Sequence, residues 1–123
     1  MNWWDLSSFS RKGNLCAMME QEYKQPWVKA LRSSKYEQGK GLLKRNNKYC
    51  CLGVLCEINK LEEKIRNDRI YFNYKDNFSC GFLPLNFREE AGITDEEEQQ
   101  LIKMNDDAGK SFKEIADWIE VNL

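Results

Sequence analysis

Apolar and polar positions change period several times along the chain. Leu15, Met18, Met19 and Tyr23 follow Asn14 at helical spacing, so a helix capped by Asn14 is predicted there. Pro26 reads as its interruption and as the first turn of a fresh helix over 27–32, where Trp27, Ala30 and Leu31 share a face. Gly39 and Gly41 then break any helical pattern. Asn46-Asn47 separates Leu42-Leu43-Lys44-Arg45 from Lys48-Tyr49-Cys50, and paired Asn residues tolerate the positive φ of a tight turn, which predicts a hairpin of 41–45 against 48–51. The stretch 52–61 is largely apolar. Leu52, Leu55, Ile58 and Leu61 recur every third residue and predict a buried helix, in which Gly53 costs helix propensity but permits close packing.

The charged run 62–69 reads as exposed chain without a strand. The aromatic-rich segments 70–74 and 78–82 bracket Lys75-Asp76-Asn77 and predict a second hairpin. Leu83-Pro84 opens a short helix over 85–91 with Gly92 as its stop. Thr94-Asp95-Glu96-Glu97 has the pattern of a capping box, and the acidic turn Asp95–Glu98 suits the positive end of a helix dipole, so this acidic run has a structural explanation. That helix is predicted to end near Asn105. After a turn at Gly109, Ser111-Phe112-Lys113-Glu114 is a second capping box. It opens a helix to about Val121, with Phe112, Ile115, Ala116 and Ile119 as its apolar stripe and Trp118 at the edge. The expected fold is α+β: a small antiparallel sheet from two β-hairpins with about five helices packed on one side. A single domain over 1–123 is expected, with a helical extension over 1–25 and a core over 26–122.

Composition narrows the chemistry. The 123 residues are 41% hydrophobic and 32% charged, which is ordinary for one globular domain. The longest uncharged apolar stretch, 50–56, is far short of the roughly 20 residues of a membrane span. The beginning Met1-Asn2-Trp3-Trp4-Asp5 lacks the basic start and apolar core of a signal peptide, so a cytoplasmic protein is expected. There is no histidine, which removes the commonest general base and zinc ligand. The five cysteines, Cys16, Cys50, Cys51, Cys56 and Cys80, are odd in number and contain no C-x-x-C pair. Buried free thiols are expected rather than a metal site, and no cofactor is expected. Cys50, near Lys48, is the one position weighed as a nucleophile.

The net charge of −1 conceals a polarity. Residues 11–48 hold 10 Lys/Arg and 3 Asp/Glu, a net of +7, and residues 86–123 hold 4 and 11, a net of −7. Such asymmetry points to an anionic partner for one end, to attraction between the ends within one fold, or to self-association into a homo-oligomer. A duplex DNA contact is not expected, because the basic segment is no dense Lys/Arg block and the acidic half repels phosphates.

The residues Trp27, Ala30-Leu31, Ser33-Ser34, Tyr36, Gln38-Gly39-Lys40-Gly41, Leu43 and Tyr49-Cys50-Cys51-Leu52-Gly53-Val54-Leu55-Cys56 resemble a family of small phage and prophage proteins. Its core reads roughly W-x-x-A-L-x-S-G-x-Y-x-Q-G-x-G-x-L, then Y-C-C-L-G-V-L-C. Leu83-Pro84, Gly92-Ile93, Asn105-Asp106, Gly109, Ser111-Phe112 and Ile115-Ala116-Asp117 are similar to its tail, so the likeness spans about residues 27–119. Ser34 stands where many relatives have Gly, and Met104 where they have Leu. The resemblance carries over no catalytic residue. It implies a phage-type accessory protein acting in a bacterial cell, of a kind that counters host defence by binding a host protein or by sequestering a nucleotide signal.

The site expected from the residues themselves is Lys35, Tyr36, Gln38, Lys40, Gly41, Lys44, Arg45, Lys48 and Tyr49. Glycine backbone N–H groups can approach an anion, the cations neutralise phosphate, Arg45 can bind it bidentately, and the two tyrosines can stack on a base. Asn105 and Asp106, in the polar stretch 105–111, are the second candidate, able to bond a ribose or a partner's basic side chain, though the favoured reading of that stretch is a helix–helix turn with Asn105 as C-cap and Ser111 as N-cap. Trp3, Trp4 and Phe9 form either an interface or a segment folded onto the domain. The leading expectation is a non-enzymatic protein binding a small phosphate-bearing ligand. The alternatives are a module that inhibits a host protein and, third, a Cys50 enzyme.

Overall fold

The computed structural model of the chain describes residues 19–123; the expectations at Trp3-Trp4, Phe9, Asn14–Met18 and Cys16 lie outside them. The first helix, α1, is Gln21–Arg32 and runs unbroken through Pro26. This corrects the predicted break. Pro26 is the sixth of the twelve helix residues, and the one backbone bond that its missing N–H gives up, to the Glu22 carbonyl, lies on a side where Glu22, Gln25 and Pro26 all face solvent. Lys24, Trp27, Val28 and Leu31 meanwhile form one continuous buried stripe across it. The boundary at 25/26 therefore falls inside an element. Trp27 is fully buried and its indole Nε1–H donates to the Cys51 carbonyl over 2.8 Å.

The first sheet joins β1 (Glu37–Gln38), β2 (Lys44–Arg45) and β3 (Lys48–Tyr49) in the order β1-β3-β2. The β2–β3 hairpin is the expected one, shorter, with Asn46 at φ 53° and Asn47 at φ 62° in its turn. β1 lies parallel to β3, with Glu37 opposite Lys48, a pairing two residues long that no sequence period reveals. Helix α2 (Cys51–Ile58) follows at once and is buried along six consecutive residues. Gly53 explains how. A Cβ there would fall 1.7 Å from the Leu43 carbonyl oxygen, so the helix backbone rests directly on the chain leading into β2.

The second sheet contains β4 (Glu62–Arg66), β5 (Arg69–Tyr74) and β6 (Asn77–Ser79) in sequential antiparallel order. β5 and β6 realise the second predicted hairpin, closed by Lys75-Asp76 at positive φ. β4 was not expected. All five of its residues are exposed, so it shows no inward-facing alternation, and its order comes from backbone pairing with β5 through the Asn67-Asp68 turn. The two hairpins thus belong to two small sheets rather than one, and the class is α+β.

Helix α3 (Leu85–Ala91) stops at Gly92 in the left-handed conformation, φ 83°. α4 (Asp95–Asp106) and α5 (Phe112–Asn122) both begin with complete capping boxes, at Thr94/Glu97 and Ser111/Glu114. The core gathers Trp27, Leu31, Leu52, Leu55, Phe72, Phe87, Leu101, Ile115 and Ile119 around α2. Among the described residues no helix is long and apolar enough to cross a membrane.

Candidate functional site

The chain between α1 and α2 folds back against the α4–α5 turn, which brings most of the predicted site residues together. Asn105 lies at the junction, 1% exposed. Its Oδ1 accepts from Gln38 Nε2 (2.9 Å) and from the Cys51 backbone N–H (3.2 Å). Its Nδ2 donates to the Gly39 carbonyl (2.9 Å) and to Asp106 Oδ1 (2.8 Å). Gln38 Nε2 also reaches the Lys110 carbonyl over 2.8 Å. The Gly41 N–H, expected to meet a ligand anion, donates instead to Asp106 Oδ1 over 3.1 Å. The protein's own carboxylate fills that position. Gln38, Gly41, Asn105 and Asp106 therefore lie together, where they hold two segments to each other rather than offer these groups to a ligand.

The tyrosines are likewise engaged. Tyr36 and Tyr49 meet edge to face, with ring centroids 5.3 Å apart and planes at 84°, and Tyr49 is buried. Lys44 Nζ stands 5.3 Å over the Tyr49 ring, and Lys35 Nζ stands 5.7 Å over Tyr36. This corrects the stacking role, because the two rings pack on each other and under lysines. Lys44 pairs with Glu63 (2.9 Å) and Glu57 (3.6 Å) and keeps only 13% of its side chain exposed. Burial opposes its charge, but hydrogen bonds with Glu63 and Tyr49 and the field of Glu57 outweigh it and raise its pKa. Lys44 is therefore a charged strut, not a free cation. Burial raises the Tyr49 pKa as well. Lys48 pairs across the parallel register with Glu37 at 3.5 Å while staying half exposed.

Lys40, Arg45 and Lys110 remain. Among the described residues no carboxylate forms an ion pair with any of them. Lys40 stands where two depressions meet. One, of about 220 Å³, is lined by Gly39, Lys40, Leu42, Arg45, Asn46 and Lys48. The other, of about 200 Å³, is lined by Gln38, Lys40, Asn105, Gly109 and Lys110. Lys110 belonged to the predicted polar stretch but not to the predicted site. Its signal was its place between Gly109, at φ 65°, and the Ser111 cap, two residues that fix the direction of the loop.

Burial bears on three of the thiols, Cys50 among them. Cys50 is buried, and burial pushes its thiol pKa up to about 12, while Cys51 and Cys56 are raised for the same reason. Among the described residues no group of three or more Cys, Asp or Glu is placed to hold a metal ion.

Comparison with curated proteins finds no match, and neither does comparison with solved structures. A family model does match residues 19–97, which span α1, both sheets, α2, α3 and the start of α4, more than half of the chain. The chain therefore belongs to the family described as "Domain of unknown function (DUF8296)".

Proposed function

We propose that the chain is a non-enzymatic binding protein whose ligand is small and carries phosphate. The observation behind this reading is Lys40, shared by two adjoining depressions and flanked by Arg45, Lys48 and Lys110, with no carboxylate of the described residues paired to Lys40, Arg45 or Lys110. Arg45 offers a planar fork for phosphate oxygens, and the lysines supply adaptable point charges. The second depression, lined also by Gly109 and Lys110, gives a polar extension such as a ribose room beside the Lys110 ammonium. The resemblance to phage accessory proteins supplies the setting for this proposal: sequestration of a nucleotide signal in the cytoplasm of a bacterial host.

Native mass spectrometry of the purified protein tests for a co-purified nucleotide, and titration calorimetry with ADP-ribose and with a cyclic dinucleotide tests binding directly. Exchanging Lys40 and Arg45 together for Glu is expected to weaken binding by about tenfold or more, since each charged contact contributes roughly 1.5–3 kcal/mol. Ligand released by heat is expected to be chemically intact. Altered ligand moves the protein to the enzymes, and unchanged affinity in the double variant ends this reading.

A further inference from the structure

The outer face of the second sheet carries a different chemistry. Cross-strand register sets Lys64 opposite Tyr71, Arg66 opposite Arg69 and Asn73 opposite Phe78. Cross-strand partners share a face and successive residues alternate, so these six side chains leave the sheet on one side. The other side holds Phe72, fully buried, with Ser79 and with Tyr74 against Phe87, so that side faces the core.

On the outer side Phe78 is 48% exposed and Tyr71 half buried. Lys64, Ile65, Arg66, Tyr71 and Phe78 line an open depression of about 220 Å³. The Lys64 ammonium stands 5.4 Å over the Phe78 ring, on a side chain exposed to solvent. Among the described residues no carboxylate forms an ion pair with Lys64, Arg66 or Arg69. Glu62, on the same face at its other end, takes a hydrogen bond from Asn73 Nδ2 over 2.9 Å.

We propose that this face docks single-stranded nucleic acid. Tyr71 and Phe78, the latter beneath a solvent-exposed Lys64 that an arriving base would displace toward phosphate, offer stacking surfaces that unpaired bases can use, and Lys64, Arg66 and Arg69, ion-paired to no carboxylate of the described residues, match a phosphate backbone. Charge argues against a second copy as the occupant, because a two-fold dimer would bring the same three cations against themselves. The surface shares no residue with the Lys40 depression, so each site can fail without the other.

Fluorescence anisotropy with labelled oligo-dT and oligo-rU of about 12 nucleotides, and with a duplex of the same length, tests the proposal. Binding of single strands, at least about tenfold tighter than duplex and weakening between about 50 and 200 mM salt, is expected. Replacing Tyr71 and Phe78 together by Ala is expected to weaken binding about tenfold or more. Arg66 and Arg69 flank an exposed turn, so exchanging both for Glu gives a second variant that leaves the core untouched and is expected to lose binding. Lys40→Glu with Arg45→Glu should leave oligonucleotide affinity within about twofold. No binding at low salt, equal affinity for duplex, indifference to both sheet-face variants, or loss only in the Lys40 and Arg45 variant overturns the proposal. So does sedimentation showing a dimer on this face that oligonucleotide does not displace.

Discussion

Asn105 has all its polar atoms occupied by two other parts of the chain, and this makes it the most consequential single side chain near the site. Asn105→Ala removes the side-chain partner of the Cys51 N–H and of the Gly39 carbonyl and one of the two partners of Gln38 Nε2, which keeps the Lys110 carbonyl. Leaving a buried polar group unsatisfied costs roughly 1–3 kcal/mol, so a loss of about 3 kcal/mol or more is expected in urea unfolding. A loss below about 1 kcal/mol would show that water replaces these bonds. A short polar residue near a helix end reads locally as a cap, and the role of Asn105 depends on chain 54 to 67 positions away. Ser34 shows the opposite case. It adopts φ 63°, a region that favours glycine, and that conformation is local to its own backbone. The cations of the proposed ligand site are different again. Lys40, Arg45 and Lys110 line the two depressions and are ion-paired to no carboxylate of the described residues.

Elements came through the sequence unevenly, for identifiable reasons. Both capping boxes, the Gly92 stop and the Asn46-Asn47 turn were legible, because each is a contract among neighbouring residues. The extension of α1 through Pro26 was not, because the buried stripe of Lys24, Trp27, Val28 and Leu31 outweighs one lost backbone bond on the solvent side. β4 was missed because an edge strand with both faces wet has no hydrophobic period to read. Helix α2 was legible as buried, and Gly53 as permitting contact; its partner, the Leu43 carbonyl, was not. Gly53→Ala forces the helix off that backbone. A loss of about 3 kcal/mol or more, or failure to fold, is expected in thermal unfolding, whereas a helix-propensity effect alone would stabilise the variant by about 1 kcal/mol.

At the scale of the molecule, part of the +7/−7 polarity is used internally. Arg32 on α1 bonds Asp117 and Glu120 on α5, and Lys24 Nζ donates to the Glu120 carbonyl. Arg32 thus joins the basic and the acidic segment through two carboxylates of α5. These bonds also set the response to pH. The hydrogen bond from Arg32 lowers the Glu120 pKa, Tyr23 and Tyr74 lower that of Glu90, and the Ser111 N–H lowers that of Glu114. Their stabilisation is present above the ordinary carboxylate value of 4.5 and is lost as pH falls through the lowered folded values. Glu98 runs the other way. Burial raises its pKa despite the Leu83 N–H and Arg88, so its contribution is present below 4.5 and is lost as pH rises through the raised folded value. Urea unfolding of Glu98→Gln and the unchanged protein between about pH 4 and 7 should therefore show the variant gaining relative stability as pH rises. A constant difference would contradict this.

Taken by itself, the sequence determined the α+β class, four of the five helices to within a few residues and the positions of two hairpin turns. Caps, glycines and apolar periods act over a few residues and are written where they act. Tertiary structure alone decided that the hairpins lie in two sheets and that β1 and β4 exist. It also decided which polar groups of the basic segment are already bonded and which cations have no ion pair with a carboxylate among the described residues. Those outcomes depend on which distant backbone and carboxylates arrive alongside, as Asp106 does at the Gly41 N–H and Glu63 does at Lys44.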